Sequence, residues 1–298
     1  MFSFWKKRKR KSIDQEGVET VSDGDQSERP KYEIAASLLS DVGCVREVNE
    51  DCIRFVQPGD PKVVAKKGML VLVCDGMGGH SAGEVASNKA IDVISRVYYE
   101  ENGEMQSALK KAFNQASREI FAMSEKDEAL KGMGTTCTAL VLKNGSALAA
   151  HVGDSRLYLV RNGGIYVMTE DHSEVMEMVK RGLISLEEAR HHPDKNVILR
   201  AIGSHPQVEV STWDEPMPVR EGDRFLLCSD GLYDLVEDEE IKTEVEKAEP
   251  QAACESLIAL AKERGGHDNI SVGIIAIKPI AEAEEKPVRE TREMEARV

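Results

Sequence analysis

Several aspartates stand where apolar runs begin or end. Asp75 follows the run "VLVC" and Asp230 follows "FLLCS", each with a glycine directly after it. Asp268 stands just before "NISVGIIAI", and Asp154 lies in "HVGDSR", where the pattern predicts a hairpin. Because such apolar runs predict strands, we expect the strand ends to bring these carboxylates together at one edge of a sheet. Taken singly, each Asp-Gly pair is more typical of a turn.

A cluster of carboxylates requires a cation, because like charges at short range disfavour one another's ionised form. Glu50 and Asp51, an adjacent pair in "REVNEDC", extend the set. Oxygen ligands without an accompanying set of His or Cys are typical of Mg²⁺ or Mn²⁺. Paired ions of this kind stabilise both oxygens of an in-line phosphoryl displacement and lower the pKa of a bound water. The residue types therefore indicate metal-dependent phosphoryl chemistry.

The glycine-rich stretch "VCDGMGGHSAGEVAS" raises the alternative of a nucleotide site. His80 and Ser81 stand where a Walker loop needs Lys followed by Ser or Thr, and the glycine spacing does not match GxGxxG. The glycines instead predict a close approach of the backbone to another group. His80 has two interpretations. It is a helix-start residue that packs locally, or a general acid, since an ordinary imidazole pKa near 6.5 suits protonation of a leaving alkoxide.

The composition excludes some classes of partner. The chain has 298 residues and a net charge of −14, which argues against nucleic acid, because a nucleic-acid binder must neutralise phosphates with basic residues. No apolar run approaches the roughly 20 residues of a membrane helix, so we expect no transmembrane segment. The six cysteines form no CxxC pair and several lie in apolar runs, which indicates buried thiols and a cytoplasmic protein.

Blocks of strands and helices indicate an α+β fold. The run from Thr136 to Thr169 contains two hairpin signals, "KNGS" and "RNGG". Long helical patterns separate the strand blocks, and capping boxes precede two helices, at Ser81 with Glu84 and at Ser185 with Glu188. Hairpin-linked strands between long helices predict antiparallel sheets covered by helices, rather than a regular βαβ alternation.

The chain ends differ in composition from the centre. We expect one domain at residues 32–279, a basic and acidic disordered tail at 1–31, and a charged flexible tail at 280–298. The basic cluster "FWKKRKRK" is either a solvated tail, which we favour, or a contact for an anionic membrane surface. Thr20 with Asp23 three residues later raises the hypothesis of a phosphothreonine-dependent partner of this tail.

Eight ordered motifs carry a resemblance to the metal-dependent protein phosphatases of the PPM (type 2C) family, in its bacterial form. They span about Ser37 to Ile277. In chain order they are "REVNED", "VCDGMGGHSAGEVAS", "MGTTCTALVL", "HVGDSRLYLV", "TEDHS", "HHPDKNVILRAIG", "CSDGLYDLV" and "GGHDNISV". The resemblance implies a four-layer αββα sandwich of two antiparallel sheets flanked by helices.

The resemblance also implies a role for each site residue. Asp75 bridges two Mn²⁺ or Mg²⁺ ions and the Gly76 carbonyl binds one of them. The remaining ligands it implies are Asp230 and Asp268 at the first ion, Glu50 and Asp51 at the second, and Asp154 with Asp230 at a weaker third. Arg46, whose forked donors suit a phosphate, holds the substrate phosphoryl group. His80 lies three residues after the place where the eukaryotic pattern has its histidine, so either His80 or a metal-bound water is the acid.

The activity implied is hydrolysis of phosphoserine and phosphothreonine by a metal-activated water. The partners implied are phosphoprotein substrates and a cognate serine/threonine kinase that the phosphatase opposes, and we expect a monomer. Two alternatives come from other classes: a catalytically weak scaffold or binding member of the family, and a phosphatase for small phosphoesters. The metal centre discriminates poorly between substrates, because it contacts mainly the phosphate.

Overall fold

The computed structural model describes residues 32–78 and 82–279. The predictions for His80, for the capping box at Ser81, for Thr20 and for both tails lie outside the described residues. Within them, the chain forms two antiparallel sheets with helices on their outer faces. None of the helices described is long and apolar enough to cross a membrane.

The first sheet has five strands, and every neighbouring pair is antiparallel. In spatial order they are β1 (Glu33–Asp41), β13 (Ile270–Lys278), β12 (Arg224–Cys228), β8 (Arg156–Arg161) and β9 (Gly164–Val167). The longest pairing joins β1 to β13, which are the first and last strands described. The two ends of the described chain are therefore held together at one side of this sheet, where β1 is the edge strand.

The second sheet has six strands and is also antiparallel. In spatial order they are β10 (Ser211–Thr212), β7 (Ser146–Val152), β6 (Cys137–Lys143), β3 (Met69–Cys74) and β2 (Cys52–Val56), with β11 (Met217–Pro218) also paired to β7. A separate two-stranded pair joins β4 (Gly76–Met77) to β5 (Gly134–Thr135) directly after β3.

The described residues form eight α-helices, of which the second and third pack on the outer face of the six-stranded sheet and the last two on that of the five-stranded sheet. They are α1 (Pro61–Lys67), α2 (Ala82–Glu100), α3 (Met105–Ser124), α4 (Glu174–Lys180), α5 (Leu186–Arg190), α6 (Asp230–Tyr233), α7 (Asp238–Lys247) and α8 (Pro250–Glu263), with a 3₁₀ turn at Glu128–Leu130. The predicted capping box at Ser185 and Glu188 is confirmed: the Ser185 hydroxyl accepts from the Glu188 N–H, and the Glu188 carboxylate accepts from the Ser185 N–H.

The period of two along each strand produces the layers. In β3, Leu70 and Leu72 pack against α2 and α3, while Val71 and Val73 face the other sheet. In β12, Leu226 packs under α8 and Phe225 faces inward. Because both faces of these strands are buried, the strands are apolar at nearly every position. The predicted α+β sandwich of two antiparallel sheets between helices is confirmed.

The two hairpins predicted at the Asn-Gly signals are confirmed. Asn144 and Gly145 join β6 to β7 with φ of 46° and 78°, and Asn162 and Gly163 join β8 to β9 with φ of 52° and 74°. Positive φ at both central residues is the type I′ conformation, whose twist matches that of the paired strands. The Asn-Gly sequences therefore determine these two turns locally.

Candidate metal centre

The prediction of a hairpin at Asp154 is wrong. Strand β7 belongs to the six-stranded sheet and β8 to the five-stranded sheet, so Gly153–Ser155 crosses from one sheet to the other. The expectation that the carboxylates meet at one edge of a single sheet is also wrong. Asp75 follows β3 in one sheet, whereas Asp230 follows β12 and Asp268 precedes β13 in the other. The acidic residues therefore lie at the shared end of the two sheets.

Asp75 is held by its own backbone. Its N–H donates to the Thr136 hydroxyl at 2.9 Å, and its carbonyl accepts from the Thr136 N–H at 2.9 Å and the Thr135 hydroxyl at 2.8 Å. Burial raises the pKa of the Asp75 carboxyl well above its usual value, and the charges of Asp51 and Asp230 raise it further. The carboxylates predicted to converge are thus close enough to repel one another.

The same repulsion acts on the other acids of the cluster. Burial raises the pKa of Asp51 to about 6, with a smaller contribution from the charge of Asp268. Burial, followed by the charge of Asp171, raises the pKa of Asp154 to about 7. The pKa of Asp230 lies well above its usual value, first through burial and then through the charge of Asp154. Without a cation, this end of the molecule favours protonated carboxyls.

Three buried carboxylate oxygens lack a hydrogen-bond partner: the Oδ1 atoms of Asp51, Asp154 and Asp230. Buried polar atoms are nearly always paired, so three unpaired oxygens among mutually repelling acids fit a site for divalent cations. In the described part of the chain, no three or more His, Cys, Asp or Glu side chains are grouped so that they could hold an ion unaided. A cation here would therefore use backbone carbonyls and waters as well, which is typical of Mg²⁺.

Glu50 connects the acidic cluster to the glycine-rich stretch. Its Oε1 accepts from the Gly83 N–H at 3.1 Å, and its carbonyl accepts from the Gly76 N–H at 3.2 Å. A Cβ on Gly76 would lie 2.1 Å from the Gly83 carbonyl oxygen, and one on Gly83 would lie 2.5 Å from Glu50 Oε1. The predicted function of these glycines, close approach of the backbone, is confirmed.

Arg46 faces both the cluster and solvent. Its Nη2 lies 2.8 Å from Asp268 Oδ2, and its side chain is 48% exposed while that of Asp268 is 22% exposed. Asp268 Oδ1 accepts from the Asn269 N–H at 2.8 Å. A guanidinium with one side on an acid of the cluster and the other side open has free donors for an incoming phosphate.

Four polar residues that the sequence interpretation missed hold the predicted ligands. The Ser229 hydroxyl donates to Asp51 Oδ2 at 2.6 Å, and the Thr136 and Ser155 hydroxyls pair at 2.7 Å. The fourth is Asn269, whose amide accepts from the Glu50 N–H at 2.9 Å. Ser155, Ser229 and Asn269 each adjoin a predicted ligand in the chain, which was the available signal.

Comparisons with known proteins identify the family. The sequence profile of the family described as "Protein phosphatase 2C" matches residues 48–263. The serine/threonine phosphatase stp of Listeria monocytogenes is 37% identical over 247 residues, which cover 80% of this chain and 94% of that protein. The chain therefore belongs to the protein phosphatase 2C family.

Solved structures of relatives share the fold. The serine/threonine phosphatase PstP of Mycobacterium tuberculosis matches with a TM-score of 0.73 and 36% identity, covering 82% of this chain and 99% of that one. The catalytic domain of PstP in complex with two manganese ions matches with a TM-score of 0.70 and 35% identity, covering 82% and 98%. The predicted family, fold and enzyme class, a metal-dependent serine/threonine protein phosphatase, are confirmed.

Proposed function

We propose that the chain removes phosphate from phosphoserine and phosphothreonine in proteins, with two Mn²⁺ or Mg²⁺ ions at the shared end of its two sheets. The ligands that we propose are the Asp75 carboxylate, the Gly76 carbonyl, Asp230 and Asp268, with Glu50 and Asp51 directly or through water. Asp154 and Asp230 are proposed for a weaker third ion. The two manganese ions of the PstP catalytic domain support the number of ions and Mn²⁺ as one of the metals.

The observation that carries this proposal is the set of three unpaired Oδ1 atoms on Asp51, Asp154 and Asp230. Bound divalent ions supply a water of lowered pKa as the nucleophile and neutralise charge on the phosphoryl group. The chain's own residues do the rest of the work. Asp75 and the carboxylates around it fix where the ions sit, and the Thr135 and Thr136 contacts fix Asp75.

Arg46 is proposed to bind and orient the substrate phosphate. Its position beside Asp268 places the guanidinium at the rim of the acidic cluster, and its exposed side leaves donors free. The leaving alkoxide of serine or threonine needs a proton. His80, which lies outside the described residues, and a water at the metal centre are the two candidates for that acid.

The cellular setting is also a proposal. We infer a catalytic domain at residues 32–279 between two tails, a cytoplasmic monomer, and a cognate serine/threonine kinase whose products it dephosphorylates. All six cysteines are free thiols, which supports a reducing compartment. The bacterial relatives named serine/threonine phosphatase favour phosphoproteins over small phosphoesters as substrates.

Hydrolysis of a phosphothreonine peptide at saturating Mn²⁺ tests the proposal. Asp230→Asn and Asp268→Asn should each abolish hydrolysis while leaving the circular dichroism spectrum unchanged, and calorimetry should show weaker Mn²⁺ binding. Asp92→Asn is the matched control, since Asp92 is an exposed acid on the outer helix α2, where it pairs with Arg54. A wild-type protein that binds Mn²⁺ without hydrolysing the peptide would refute the enzymatic assignment.

A further inference from the structure

The segment that carries Arg46 crosses between the two sheets. Residues 42–50, the arginine loop, leave β1 in the five-stranded sheet and lead to Asp51 and β2 in the six-stranded sheet. No strand pairing supports these residues, yet Arg46 and Glu50 must sit correctly relative to Asp268 and Gly76. Something other than sheet hydrogen bonds must therefore fix the loop.

One side chain outside the loop binds backbone groups at both of its ends. The Asn269 Nδ2 group donates to the carbonyls of Val42 and Val48, both at 3.0 Å, and its Oδ1 accepts from the Glu50 N–H at 2.9 Å. Nδ2 has two hydrogens, and both are used. The loop makes two further contacts with the same segment, from the Cys44 N–H to the Gly266 carbonyl at 2.7 Å and from Arg46 Nη2 to Asp268 Oδ2 at 2.8 Å.

The geometry makes Asn269 a clasp for the whole loop. It joins a carbonyl at the start of the loop to a carbonyl and an N–H near its end, so it fixes the distance between them. Asn269 is 4% exposed, so water cannot replace these bonds. Its own N–H donates to Asp268 Oδ1, the carboxylate that also contacts Arg46. Loop, amide and carboxylate thus form one connected unit.

We propose that Asn269 is the positioning residue for phosphate capture: its amide holds the arginine loop so that Arg46 meets the substrate phosphate. This inference rests on the proposed function for Arg46. It predicts that loss of the Asn269 hydrogen bonds to the loop raises KM by displacing Arg46, rather than only lowering stability. We assign Asn269 no direct contact with substrate or ion, because its side-chain amide is already used by these three bonds.

The sharpest variant is Asn269→Asp, which has the same shape and keeps the acceptor for Glu50. It loses the Nδ2 donor and places a carboxylate against the Val42 and Val48 carbonyls, which are left unpaired. Amide hydrogen exchange in residues 42–50 should speed up about tenfold, and KM for a phosphothreonine peptide should rise about tenfold. Asn269→Ser, which retains one donor, should give smaller changes in the same direction and serves if Asn269→Asp does not fold.

Asn114→Asp is the matched control. Asn114 also accepts from a backbone N–H, that of Val208 at 3.1 Å, and donates to a carbonyl, that of Lys110 at 3.0 Å. It lies on α3, away from the acidic cluster. The control should lose stability without changing KM or the exchange of residues 42–50.

A double-mutant cycle separates positioning from a merely structural role. In the Arg46→Ala background, Asn269→Asp should raise KM less than about twofold, because the residue it positions is already absent. An equal increase of KM in both backgrounds would overturn the proposal, and so would unchanged exchange in the arginine loop. If the proposed function is wrong, the wild type is inactive. Hydrogen exchange does not require activity, so it still tests whether Asn269 holds the arginine loop.

Discussion

Replacing Asp154 by asparagine should make the metal-free protein more stable at alkaline pH. Asp154 is 4% exposed, and burial followed by the charge of Asp171 raises its pKa from 3.8 to about 7. A carboxyl whose pKa is raised on folding binds its proton more tightly in the folded state. Its stabilising contribution is therefore greatest below pH 4 and is lost as the pH rises towards 7.

The magnitude follows from the same values. A difference of about 3 pH units corresponds to about 4 kcal/mol, which is the cost of ionised Asp154 above pH 7 without a cation. An amide removes this charge, but its own unpaired polar atoms cost about 1–2 kcal/mol. The variant should therefore gain about 2–3 kcal/mol at pH 8, or about 4–6 °C in Tm. At pH 4 it should be slightly less stable than the wild type.

Urea unfolding in EDTA at pH 4 and pH 8 measures the difference in stability between the variant and the wild type. With Mn²⁺ at pH 8 the greater stability of the variant should shrink, because the ion stabilises the wild type more. Asp223→Asn is the control. Asp223 is equally buried but is paired with Arg161, so its amide variant should lose stability at pH 8. A metal-free Asp154→Asn protein that is less stable than wild type at pH 8 would show that the acidic cluster is not strained by repulsion.

Two further substitutions test the contacts around the cluster. Thr136→Val removes the hydroxyl that accepts from the Asp75 N–H. The variant should lose about 1–3 kcal/mol of stability in urea unfolding and should bind Mn²⁺ more weakly in calorimetry. If stability and Mn²⁺ affinity are both unchanged, Thr136 has no role in holding Asp75. Lys195→Met removes the cation paired with Asp234, whose side chain is 9% exposed, and should cost about 1–3 kcal/mol of stability. Lys180→Met removes a cation from two exposed pairs, with Glu170 and Glu177, and should cost less than about 1 kcal/mol. Equal losses in the two variants would contradict this difference.

Features of the fold that depend on neighbouring residues were predictable. The two Asn-Gly turns follow from the φ values that those residues adopt, and the long amphipathic pattern of α3 is visible over five turns of sequence. Strands β4, β5, β10 and β11 have two residues each, so they leave no periodic signal. Pairing partners were equally hidden, since β1 and β13 join residues at opposite ends of the described chain.

The error at Asp154 shows where local patterns fail. Only three residues separate β7 from β8, which is typical of a hairpin. Strand β8 pairs instead with β12, far along the chain, and the three residues become a bridge between sheets. The choice between a hairpin and a bridge depends on that distant pairing, which the residues around Asp154 do not encode. The identity of the acid was predictable, but its surroundings were not.

The segment around Asp154 also explains how a cluster of mutually repelling acids is compatible with a stable fold. Asp154 lies on one segment that crosses between the sheets, and Arg46 and Glu50 lie on another, so these residues stand where strand hydrogen bonds end. Mutual repulsion there acts outside the sandwich core, which is formed by β3, β6 and β7 of one sheet and β8, β12 and β13 of the other. Side chains such as Thr136 and Asn269 replace the missing strand bonds by binding the backbone directly. The positions of Asp75 and Glu50 are therefore set by these polar side chains, and under the proposed function the repulsion among the acids is what a bound cation would relieve.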